Sequence, residues 1–286
     1  MKKMALAALF AALFITNVQA APFFIYTPQV KSIGLYLGGQ IWQSEASGIL
    51  GEQNSLIDFN LIKEQQTNYF IAVEHPFPLL PNARISSTTL DTTGKTTLTK
   101  EFGFDDEVFP VNDNVNTSFN TSYVDYTLYY ELLNNGLFSL DLGLTARDFD
   151  VAVTVTGTTV TITNVSILPE TEGVNEAEHF TAITTSVTPT GIVKADDIVP
   201  MLYVATNFSM PLAGLSAFAQ GDFSLIGDHS LYDYQVGLSY DLVNSLIVDF
   251  NLTLGYRVVK IELEDLNSLY TDLEFKGAFL GIIAHF

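Results

Sequence analysis

Between Leu246 and Val258 the chain alternates. The even positions read Leu246, Val248, Phe250, Leu252, Leu254, Tyr256 and Val258, and the odd ones Ile247, Asp249, Asn251, Thr253, Gly255 and Arg257. Successive side chains of a β-strand point to opposite faces, so one face of this segment is apolar and the other mostly polar. A helix would scatter Asp249, Asn251 and Arg257 over its apolar surface, so the period of two specifies a strand. The same alternation returns at 124–132, 138–146 and 232–242. It returns again at 270–286, where Ala278, Leu280, Ile282, Ala284 and Phe286 share one side.

Ten strands are predicted in all, at about 30–43, 68–75, 83–93, 124–132, 138–146, 199–210, 215–225, 232–242, 246–264 and 270–286. The third is Thr- and Ser-rich and has no clean apolar face. The fifth is expected to run on through Val151, Val153 and Val155. It would then turn at Thr156-Gly157-Thr158 and return through Val160 and Ile162, as a hairpin within an insert at 150–198. Alternate connections are short, near 76–82, 133–136, 211–214 and 243–245. Pro76, Pro78 and Pro81 end a ladder, and Asn134-Asn135-Gly136 accepts the positive φ of a tight turn. The first, third and fifth connections are long (about 44–67, 94–116 and the 150–198 insert). Short periplasmic turns, longer extracellular loops and an even strand number belong to bacterial outer-membrane barrels. The fold expected is all-β: a closed antiparallel transmembrane β-barrel of about ten strands in an up-and-down meander.

Composition adjusts the boundaries. Lys2 and Lys3, the apolar run Met4 to Ile15 and the small-residue site Val18-Gln19-Ala20 read as a signal peptide at 1–20, leaving the barrel at 21–286. Hydrophobic residues make up 48% of the chain and charged ones 15%, yet after Ala21 no apolar run is long enough for a membrane helix. The chain has 32 acids against 12 bases, a net charge of −20; loss of Lys2 and Lys3 leaves ten bases and a net charge near −22. That balance argues against nucleic acid and suits acidic loops facing solvent or divalent cations. With no cysteine, neither a disulfide framework nor a thiol site is available.

If the apolar faces meet lipid, the opposite faces contribute Asp125, Glu131, Asp141, Arg147, Asp233, Asp241, Asp249 and Arg257 to the lumen. Such charges must pair or stay hydrated. They are read as an internal brace, with a cation-preferring channel as the alternative; ten strands lie close to the filled limit. Histidines 75, 179, 229 and 285 fall in separate segments. Asp228-His229 at the outer rim could activate water, as in the ten-stranded omptin proteases, but no second Asp pair stands at comparable spacing and Asp105-Asp106 is a weak substitute. Glu176, Glu178 and His179 could ligate a metal, although acids in a loop are more often solvated. No metal site, cofactor or enzymatic role is assigned.

Trp42-Gln43-Ser44-Glu45-Ala46-Ser47-Gly48, Glu74-His75-Pro76-Phe77-Pro78-Leu79-Leu80-Pro81-Asn82 and Asp125-Tyr126-Thr127-Leu128-Tyr129-Tyr130-Glu131 stand together with Gly255-Tyr256-Arg257 and a terminal His285-Phe286. These motifs resemble an uncharacterised family of Gram-negative outer-membrane β-barrel proteins, over nearly the whole chain outside 150–198. The resemblance implies fold and location, and no substrate. Physically, Tyr126, Tyr130, Tyr240 and Tyr256 suit an interfacial belt, and Phe286 suits an assembly signal. The function expected is envelope structure or surface interaction through acidic loops, with a narrow passive pore and a rim hydrolase as alternatives. The expected partners are outer-membrane lipid, lipopolysaccharide and the barrel-assembly machinery, with divalent cations as candidates at the acidic loops.

Overall fold

The computed structural model describes residues 33–53, 55–77, 79–158, 160–167, 180–210, 214–225, 229–243, 245 and 248–286, the side chains of 160–185 and 229 excepted. The signal peptide, Asp228, Glu176, Glu178 and His179 lie outside the described residues, as does the side chain of His229. Fifteen strands are present among the described residues. They are β1 (Gly34–Glu52), β2 (Ser55–Ile57), β3 (Glu64–Glu74), β4 (Asn82–Thr97), β5 (Phe102–Phe104), β6 (Glu107–Phe109), β7 (Asn114–Asn134), β8 (Phe138–Thr156), β9 (Val160–Ile167), β10 (Phe180–Val187), β11 (Thr190–Met210), β12 (Leu215–Ser224), β13 (His229–Val243), β14 (Asp249–Leu266) and β15 (Leu269–His285).

Ten of them close a barrel. The order β15-β14-β13-β12-β11-β8-β7-β4-β3-β1 is completed by an antiparallel β15–β1 seam, so each barrel strand pairs with the next and the last with the first. Backbone bonds from Leu35 N to Phe286 O at 3.1 Å and from Phe286 N to Leu35 O at 2.9 Å finish the seam. β5–β6 and β9–β10 are separate hairpins, and β2 pairs with the far end of β1. The predicted ten-strand meander is the observed one.

The strands are longer than predicted. β1, β7, β8 and β11 have 19, 21, 19 and 21 residues, about twice the nine to eleven a bilayer needs. Much of the predicted loops at 44–67 and 94–116 is therefore wall: β1 runs to Glu52, β4 to Thr97, and β7 starts at Asn114. The expected hairpin of Val151–Val155 against Val160–Ile162 does not form. Val151 pairs with Thr121 on one side and Ala195 on the other, and Val160 pairs with Val187. Val151, Val153 and Val155 are fully buried among the aromatic and aliphatic residues inside the barrel. That burial outweighs the turn potential of Thr156-Gly157-Thr158.

The long walls β1, β8, β14 and β15 change character half-way. At the end carrying the seam termini, the outward residues are apolar and exposed, as with Ile41, Leu142, Val236, Leu254 and Leu280. Tyr126, Tyr130, Tyr240 and Tyr256 stand among them, each exposed by 40% or more. Farther along the same strands the outward positions become charged: Glu45 after Ile41, Asp148 after Ala146, Lys260 after Tyr256, Lys276 before Ala278. The inward positions switch the opposite way. On β8 they read Asp141, Thr145 and Arg147, then Phe149, Val151, Val153 and Val155; on β14, Asn251, Thr253 and Arg257, then Val259, Ile261 and Leu263. On β14 the apolar outward stretch covers Phe250 to Val258, close to one bilayer-spanning strand. The barrel thus has a belt half, apolar outside and polar inside, and a projecting half with an ordinary buried core.

Phe218 and Phe279 reach across the lumen wall onto Gly237 and Gly255, which face each other on β13 and β14. A Cβ on Gly255 would run into the Phe279 ring and the Val236 carbonyl. The glycines are what let these rings approach the wall so closely.

Candidate functional site in the lumen

Three layers fill the lumen, beginning at the far end with an apolar plug. The β5–β6 hairpin turns inward and buries Phe102, Phe104 and Phe109, with the Phe59 and Phe102 rings meeting edge to face at 5.8 Å. Phe119 and Phe275 contact each other below them at 5.9 Å. The hairpin is fastened at its turn. Asp105 donates its amide to Glu52 Oε1 at 2.8 Å, and its Oδ2 accepts the Ile192 amide at 2.9 Å. Asp105 and Asp106 both adopt positive φ, at 53° and 62°. The acids weighed as substitutes for a rim catalytic pair therefore form the corner of the plug.

The middle layer is ionic and sits where the outside changes from apolar to charged. Arg147 donates Nε to Asp125 Oδ1 at 2.7 Å and Nη2 to Asp125 Oδ2 at 2.9 Å, and its Nη2 also reaches Asp233 Oδ2 at 3.0 Å. Arg257 donates Nε to Oδ1 of the same Asp233 at 2.9 Å and Nη2 to its Oδ2 at 2.7 Å. Its Nη2 reaches Tyr123 Oη at 3.2 Å and Thr88 Oγ1 at 3.3 Å. The Tyr123 hydroxyl donates to Asp233 Oδ2 at 2.8 Å, and the Arg147 guanidinium lies 3.9 Å over the Tyr123 ring. Arg257 also stands 5.4 Å over the ring of Trp42. All of these charged groups are nearly fully buried. Bidentate geometry with stacked rings is the arrangement in which buried charges are best compensated. Arg147 bridges two carboxylates, whereas Arg257 holds one.

The third layer is open space. A cavity of about 610 Å³ occupies the belt half and opens at the terminus end, between residues such as Gly34, Asn134, Met210, Leu215 and His285. Glu131, Asp141 and Asp241 line it. Asp249 lies at its rim, 3.7 Å from His285 Nδ1, whose ring stacks on Tyr36 at 4.2 Å. The eight predicted lumen residues therefore divide. Asp125, Arg147, Asp233 and Arg257 form one cluster; Glu131, Asp141, Asp241 and Asp249 stand apart from it, toward the opening.

Among the polar lumen residues that the sequence did not single out are Asp222, Glu74, Arg84 and Tyr203. Asp222, buried, accepts from Thr145 Oγ1 at 2.6 Å. Glu74 accepts from Tyr129 Oη at 2.9 Å. Arg84 lies 3.5 Å over the Phe70 ring, and Tyr203 is buried against Tyr129. The signal was available for Asp222, because Phe218, Gln220 and Asp222 alternate with Ala217, Ala219 and Gly221. His75 is structural: its Nδ1 accepts the Phe77 amide at 3.3 Å and its Nε2 lies 3.1 Å from Pro81 O.

No family model matches the chain, and no curated protein sequence does either. Among solved structures, the outer membrane protease OmpT of Escherichia coli is similar with a TM-score of 0.45 at 10% identity, over 92% of this chain and 100% of that one. The transport unit of the Escherichia coli autotransporter AIDA-I gives 0.34 at 10% identity, over 98% and 96%. Neisserial surface protein A gives 0.30 at 8% identity, over 87% and 95%. None of them carries an activity over to this chain.

Proposed function

We propose that the protein is an integral outer-membrane barrel, closed to solutes, that serves the envelope as a structural or surface-interaction element through its projecting acidic half. The observation carrying this reading is the mid-wall switch, because an exposed apolar belt is stable only against lipid. In this orientation the cavity faces the periplasm and the plug faces outward, with lipid and lipopolysaccharide against the belt. Phe286, paired to Leu35, would act in assembly. The motif resemblance and a cleaved leader belong to the same reading, and no catalytic role is part of it.

Two barriers in series support the closed reading over a narrow cation pore: the Arg147–Asp233–Arg257 layer and the phenylalanine plug. Planar-bilayer recording tests it. The wild type is expected to show no steady conductance, and Arg257→Ala none either, since the plug remains. Arg257→Ala combined with replacement of residues 99–112 by a short Gly-Ser linker should conduct, with cation preference. Steady conductance by the wild type would favour the pore.

A further inference from the structure

A closed barrel needs no chamber, yet this one keeps a cavity of about 610 Å³, a size typical of small-molecule sites. The cavity is blind at the ionic layer and open at the terminus end. Glu74, Glu131, Asp141, Tyr36, Tyr129 and Tyr203 all line it. The Tyr129 hydroxyl already holds Glu74, and the Tyr129 and Tyr203 rings are 5.4 Å apart. Tyr36 lies within electrostatic reach of all three carboxylates, and Tyr203 of Glu74 and Asp141. Two members are unfinished. Tyr203 is only 4% exposed, yet its hydroxyl makes no hydrogen bond with the described residues, and neither does the Asp141 carboxylate. Both line the cavity, and carboxylates gathered in so confined a space are stabilised by an occupant that supplies donors and positive charge.

The geometry points to a binding site for a small organic ammonium ion, entering at the terminus end, with its charge between Asp141, Glu131 and Glu74 and its carbon skeleton on the tyrosine faces. Aromatic faces attract alkylammonium groups, and carboxylates supply the counter-charge. A metal ion fits less well, because among the described residues no three acidic or histidine side chains gather closely enough to ligate one. Arg84, fixed over Phe70 at 3.5 Å, repels a cation from deeper positions and confines it to the acidic collar.

The test is calorimetric titration of spermidine into the full chain in detergent micelles, which does not depend on whether the barrel conducts. Saturable binding is expected. It should weaken on the order of tenfold in Glu131→Gln/Asp141→Asn, through loss of charge-assisted bonds, and by less in Tyr203→Phe, which keeps the ring. The outer-wall pair Asp272→Asn/Glu274→Gln removes the same charge and should leave binding unchanged. Thermal unfolding checks that each variant is folded; if the double variant is not, Tyr203→Phe decides. The proposal is overturned by absence of saturable binding, by equal loss in the outer-wall control, by unchanged binding in a folded Tyr203→Phe when the double variant cannot be read, or by magnesium displacing spermidine as readily as another polyamine does.

Discussion

The belt half and the projecting half share the long strands of one barrel and obey opposite rules. In the first, alternate residues are apolar outward, and the interior holds charges, tyrosines and a cavity. In the second, the outward positions carry Glu45, Asp148, Lys260 and Lys276, while Phe119, Val151, Leu263 and Phe275 fill the inside. A strand's period says that its two faces differ; it does not say which solvent each face meets. The environment decides that, and here it changes once along each long wall, at the level of Arg147 and Arg257.

Substitutions that cross this boundary sharpen the contrast. The largest loss is expected for Arg147→Ala, which strands Asp125 and part of the bonding of Asp233 in a buried site. Breaking such a pair costs roughly 3–5 kcal/mol, to be read from denaturant unfolding in lipid vesicles. Phe275→Ala, inside the projecting half, should cost about 3–4 kcal/mol as a core cavity, with nearly the same value in detergent and in lipid. Leu254→Arg, outward in the belt half, should cost roughly 2–4 kcal/mol in vesicles and much less in a soluble amphiphile. The smallest effect belongs to Lys276→Ala, two positions beyond the belt on β15. Its pair with Glu274 at 2.8 Å is partly exposed, and loss of such a pair costs below about 1 kcal/mol. If Leu254→Arg and Lys276→Ala proved equally mild in lipid, the belt would be misplaced along the wall.

The belt half was legible because lipid demands unbroken apolar faces, and 124–132, 232–242 and 246–258 supply them in phase. The projecting half is legible along 259–264 and 270–276, inside the predicted ninth and tenth strands, and at Val151, Val153 and Val155, where the strand is right but its expected partner is not. In β1 beyond Gln43 the sequence Ser-Glu-Ala-Ser-Gly-Ile-Leu-Gly-Glu mixes small, acidic and apolar residues, so its inward Ala46 and Leu50 do not stand out from a loop. β4 is predicted at 83–93 but shows no clean apolar face, for a related reason. Its inward Ser86, Thr88 and Thr92 are buried by partners that only the closed barrel supplies. In the lumen, the residues named from four strands fell into two groups, since pairing depends on height along the axis as well as on face. Asp125, Arg147, Asp233 and Arg257 share one level; Glu131 and Asp141 sit nearer the terminus end.

The seam has a consequence for how the molecule comes into being. Leu35 and Phe286 bond across almost the entire chain, so the first wall strand must wait for the last. Until then β1 and β15 are bare edges, able to recruit any strand they meet. Every intermediate short of fourteen matched positions between them, from Tyr36 with His285 to Gly51 with Tyr270, is an open, sticky sheet. Closing so long a loop carries a conformational-entropy penalty that grows only slowly with length, but the search is slow. A cell making this protein must therefore hold a nearly complete chain unjoined for longer than it takes to synthesise its hairpins, and shield two edges until they find each other.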